Sequence, residues 1–146
     1  MSSLNYINEA GAGQKHSDAC HYSQAVVVGD IVKCSGQGGW DNTGFCDGND
    51  INLQVKNAFD NVDRVLQAVG LRGWEDVYSI RSYHLDIAES FPIAESFPIL
   101  VKRLQERLPG HRPIWTSLGV SALAFPTMKI EIEVEAYKGQ QDDVSR

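Results

Sequence analysis

Met128-Lys129-Ile130-Glu131-Ile132-Glu133-Val134-Glu135-Ala136-Tyr137 alternates apolar and charged side chains along its whole length. Successive side chains of a strand point to opposite faces, so this stretch predicts a strand with one buried face and one charged face. The buried face needs a covering layer. Two helices are available to supply it. Val55, Phe59, Val62, Leu66 and Val69 step by four and three residues, an apolar stripe on one helix face, with Asp50 as N-cap and Gly70 as the stop. Leu100, Leu104 and Leu108 form a second stripe, ended by Pro109-Gly110 and expected to start at or after Pro98.

Further strands surround these elements. Ser23–Val28 and Ile31–Gly36 flank Gly29-Asp30 and predict a hairpin, preceded by an extended arm with a short edge strand near Leu4–Ile7. The glycine-rich stretch 36–49 predicts a loop. Val77–Leu85 and Pro113–Val120 are the remaining strands. The order is β-β-β-α-β-α-β-β. It predicts an α+β fold: a mostly antiparallel sheet with two helices packed on one face. The other sheet face must be polar or covered by another subunit. Ile87-Ala88-Glu89-Ser90-Phe91-Pro92 recurs unchanged as Ile93–Pro98, a tandem duplication read as a loop insertion or an extended lid.

With 146 residues the chain is expected to be one domain, 1–146, with an arm over 1–21 and a frayed tail over 138–146. The 42% hydrophobic content is ordinary for a soluble globular protein. A net charge of -6 counts against a nucleic-acid partner. No apolar run approaches a membrane span of about 20 residues, and no signal peptide is visible. Cys20, Cys34 and Cys46 lack CxxC spacing and predict free thiols, a cytoplasmic location and no metal site or cofactor.

Tyr22-Ser23-Gln24-Ala25, Ser35-Gly36-Gln37, Asn57-Ala58-Phe59-Asp60-Asn61-Val62, Trp74-Glu75-Asp76 and Lys129-Ile130-Glu131-Ile132-Glu133 occur in the order and spacing of a known family. The chain resembles the Rid/YjgF family of reactive-intermediate deaminases, also labelled L-PSP endoribonucleases. The resemblance spans about residues 20 to 137. It implies a chorismate-mutase-like fold, a homotrimer and a small-molecule ligand in a cleft between subunits.

The resemblance also implies roles. Glu131 and Tyr22 would place the hydrolytic water, and Ser35-Gly36 would supply the backbone-donor region. The arginine that binds a 2-imino acid carboxylate falls on Trp115, with Ser117 two residues on. An indole lacks the bidentate fork of a guanidinium, so an ordinary 2-imino acid is not the expected substrate. Arg112 is a substitute cation if it reaches the cleft. Alternatives stand beside each role: a solvated Glu131, a packing Tyr22, turn geometry at Ser35-Gly36, and Trp115 as a core aromatic or as a cleft floor. The expected activity is hydrolysis of an enamine, imine or related reactive metabolite. The alternatives are a non-catalytic binding or interaction module, and, disfavoured by the acidic charge, an endoribonuclease.

Overall fold

The computed structural model describes residues 4–85 and 95–139. Strands β1 (Asn5–Ile7), β2 (Ala25–Val28), β3 (Ile31–Cys34), β4 (Gln37–Gly38), β5 (Val77–Leu85), β6 (Ile114–Val120) and β7 (Ile130–Tyr137) form one sheet. Its order is β1-β2-β3-β7-β5-β6, with β4 also paired to β7. Every pairing is antiparallel except β5 with β6, which the intervening helix makes a parallel crossover. The helices are α1 (Ala12–Cys20), α2 (Ile51–Ala68) and α3 (Ser96–Arg107). This is the α+β fold that the sequence predicts.

Alternation in β7 fixes the layering. Ile130, Ile132, Val134 and Ala136 are buried under α2 and α3, where they meet Val55, Phe59, Val62, Leu66, Leu100 and Leu104. Burying each such side chain is worth about 1.5–3 kcal/mol, which makes this seam the main source of stability. Trp74 is fully buried, stacks on Phe59 at 4.4 Å and donates from Nε1 to the Phe59 carbonyl. Asp50 caps α2 by accepting from the Leu53 amide, and Gly70 takes φ 98°, a conformation that favours glycine.

Three local expectations change. The arm is not extended throughout: residues 12–20 form α1. Its buried side is only Ala12 and Gly13, so no apolar stripe announces it. The Glu9 carboxylate holds its start by accepting from the Gly11 and Gly13 amides. Within the glycine-rich loop, Gln37–Gly38 pairs with β7 at Ile132 and Glu131. Helix α3 begins at Ser96 rather than at or after Pro98. Pro98 sits in its first turn, where the missing N–H costs no intrahelical bond. Most of the hexapeptide repeat, like the tail beyond residue 139, lies outside the described residues.

Candidate functional site

The sheet face away from α2 and α3 carries Glu131, Glu133 and Glu135 in one column on β7. Tyr83 and Arg81 lie opposite Glu131 and Glu133 on β5. Thr116 and Leu118 continue the same two rows on β6. A groove of about 390 Å³ opens here, lined by Gly36, Tyr83, Val120, Ala122, Leu123, Ala124, Glu131 and Glu133.

Glu131 is half-buried, and burial, reinforced by neighbouring Glu133, pushes its carboxyl pKa up. Among the described residues its carboxylate has no hydrogen-bond partner. Glu133 differs: the Tyr83 hydroxyl donates to it at 2.6 Å. That bond holds the Tyr83 proton in place and raises the phenol pKa. Gly36 packs directly against the Glu131 carboxylate, and a β-carbon there would collide with it. The site therefore joins a carboxylate with no hydrogen-bond partner among the described residues, a glycine that makes room for it and a short apolar wall.

Tyr22 lies within electrostatic reach. Its hydroxyl pKa is raised by burial first, then by Cys20 and Glu131. Helix α1 sets the Tyr22 backbone: His21 adopts φ 57° at the helix end, and the Ser17 hydroxyl donates to the Tyr22 carbonyl. Ser35 is half-buried beside the groove rather than in its lining. Its amide donates to the Gln24 carbonyl at 2.7 Å, which leaves Gly36 as the member of the pair that lines the groove.

Trp115, Ser117 and Arg112 are elsewhere. Trp115 and Ser117 occupy the β6 positions that face the helices, on the opposite side of the sheet from Glu131. The Trp115 ring stacks on Phe97 of α3 at 4.8 Å, and its Nε1 donates to the Ser82 hydroxyl at 2.8 Å. Ser82 also bonds Ser117 at 3.0 Å and His84 Nε2 at 2.7 Å, while His84 Nδ1 meets Ser96 at 2.7 Å. Burial pushes the His84 pKa down to about 4, so the ring is neutral at pH 7. The sequence gives no sign of this network, because its members come from β5, β6 and α3. Arg112 lines a separate cavity between α3 and the sheet.

Residues 13–138 match the family model described as Endoribonuclease L-PSP. The chain belongs to that family, known also as Rid/YjgF. Rid/YjgF structures share its fold. Protein YJGH is 28% identical with a TM-score of 0.78, covering 96% of this chain and 100% of that one. RidA from the Antarctic bacterium Psychrobacter sp. is 28% identical with a TM-score of 0.67, covering 80% and 87%. Rv2704 from Mycobacterium tuberculosis, a YjgF/YER057c/UK114 family member, is 24% identical with a TM-score of 0.70, covering 92% and 99%; at that identity the likeness speaks for the fold alone. No curated protein matches. Among the described residues, no group of three His, Cys, Asp or Glu side chains is arranged to hold a metal, and no helix is long and apolar enough to cross a membrane.

Proposed function

We propose that this Rid/YjgF protein hydrolyses a small imine or enamine in the Glu131 groove. The observation that carries this reading is the half-buried Glu131 carboxylate, raised in pKa and without a hydrogen-bond partner among the described residues, at the edge of an apolar wall. Such a carboxylate suits a general base. It takes a proton from water as the water oxygen bonds to the C=N carbon of a protonated imine. The proton then passes to the nitrogen to give a protonated carbinolamine. Glu131 takes the remaining hydroxyl proton as the C–N bond breaks, and ammonia leaves behind a carbonyl compound. Tyr22 serves as a hydrogen-bonding group for the water or the substrate.

The charge of the groove argues for the substrate class. Among the described residues, two carboxylates and no cation line it. An iminium is favoured there and a substrate carboxylate is not. The substrate is therefore a neutral or cationic imine, not a simple 2-imino acid. The same acidic column opposes RNA phosphates, which sets the endoribonuclease reading aside.

The open sheet face supplies the case for a homotrimer. Ile114 is 71% exposed, and Leu118, Tyr137 and Tyr6 are exposed with it. Apolar side chains on one sheet face are best covered by further copies of the chain. Light scattering of the purified protein tests the assembly, with a mass near three times 16.1 kDa expected.

The activity is tested by ammonia release from imines generated in situ, comparing the native chain with Glu131→Gln. Turnover lost in the variant supports the hydrolase. Ligand-induced thermal stabilisation without turnover in the native chain replaces it with the binding module. RNA cleavage lost in Glu131→Gln would restore the endoribonuclease reading.

A further inference from the structure

The cavity between α3 and the sheet lies on the other side of the sheet from Glu131. It measures about 450 Å³ and is larger than the Glu131 groove. That volume is in the range of small-molecule sites. Its walls are Ile80, Val101, Leu104, Leu108 and Trp115, with Gln105, His111 and Arg112 as the polar members. Apolar walls with a few polar groups are the usual make-up of a small-molecule site.

Arg112 decides the sign of the ligand. It is exposed at the cavity wall and forms no ion pair among the described residues. The neighbouring Arg107, by contrast, is fully engaged by Asp63 and Glu75. Among the described residues, no acidic side chain lines this cavity. His111 is anchored, because its Nε2 donates to the Val77 carbonyl at 2.9 Å. Trp115 has its N–H committed to Ser82 and one ring face stacked on Phe97, so it offers the cavity apolar ring surface alone.

We propose that this cavity is a second ligand site, one that takes a small apolar carboxylate. The hydrocarbon or aryl part lies against Leu104, Val101 and Trp115, and the carboxylate pairs with Arg112. The site is independent of Glu131, which belongs to the opposite face of the sheet.

The test uses 4-phenylbutyrate and its neutral amide as probes, titrated by calorimetry against the full chain. Arg112 is exposed, so solvent screens it, and the carboxylate is expected to bind about three- to fivefold more tightly than the amide. That preference should shrink as salt rises from about 0.02 to 0.5 M. Arg112→Gln should remove the preference and leave the amide's affinity unchanged. Leu104→Trp should weaken both probes, and a thermal melt identifies loss of folding in that variant. Arg112→Gln keeps the preference test intact even then. Imine hydrolysis should be unchanged in Arg112→Gln. No binding of either probe, equal binding of both, or binding abolished by Glu131→Gln but kept in Arg112→Gln would each overturn the proposal.

Discussion

The carboxylate of Glu131 fills the space that a β-carbon on Gly36 would occupy. Gly36 is required here for room, not for an unusual backbone angle. Gly36→Ala must therefore displace the carboxylate from its position over the groove. Displacing a positioned catalytic group by about 1 Å can cost about 100-fold in rate. The expected result is imine hydrolysis lowered about 10- to 100-fold. The melting temperature should change little, because the displaced group borders solvent rather than the core.

Glu131→Gln should separate activity from stability. Burial and Glu133 raise the folded-state pKa of Glu131 above its unfolded value. Between those two values the native state binds more protons than the unfolded state, so stability falls as pH rises through the window. At pH 7 the fold bears the cost of an ionised, half-buried carboxylate beside a second one. Glutamine removes that cost. Hydrolysis should disappear while the melting temperature at pH 7 rises, and the gain should vanish below the window. The activity of the native chain should climb with pH through a value above that of an ordinary glutamate, as measured by a pH profile of kcat/KM.

These two residues were legible in the sequence for different reasons. The alternation of β7 places Glu131 on the open face, and family spacing brings Ser35-Gly36 beside it. The stripe of α2, its Asp50 cap and its Gly70 stop were legible because periodicity and capping are local signals. Helix α1 was not, because Glu9 and the Ser17 to Tyr22 bond hold it, not an apolar face. The side of the sheet taken by Trp115 was not legible either. Strand β6 has apolar or small side chains on both faces, and Phe97 of α3 and Ser82 of β5 decide its parity.

His84 gives the protein an acid-sensitive seam. It is fully buried between Ser82 and Ser96, and its pKa falls to about 4 in the fold from 6.5. Between those values the unfolded state binds the extra proton, so the stabilisation is complete above about 6.5 and is lost as pH drops toward 4. A loss on the order of 2 kcal/mol is expected across that window. His84→Gln, which keeps a hydrogen-bonding side chain but cannot titrate, should flatten this part of the stability profile in urea melts. It should also start from lower stability at pH 7, because the amide cannot match both serine contacts.

Introducing an arginine on β6 discriminates between the two faces of the sheet. Trp115→Arg would place a guanidinium against Phe97 and Ser82 in the helix-facing seam, where no carboxylate contacts Trp115 among the described residues. Burying an unpaired charge and losing a stacked aromatic should destabilise by about 3 kcal/mol or more. Thr116 is exposed and shares the open face with Arg81 and Glu133. Thr116→Arg should fold normally and bring a cation toward the Glu131 groove. Hydrolysis of simple 2-imino acids, assayed with an amino-acid oxidase as the source, should increase in Thr116→Arg and not in Trp115→Arg. The opposite ranking would mean that Trp115, not Thr116, faces the reacting group, and the Glu131 groove would lose its claim to be the site.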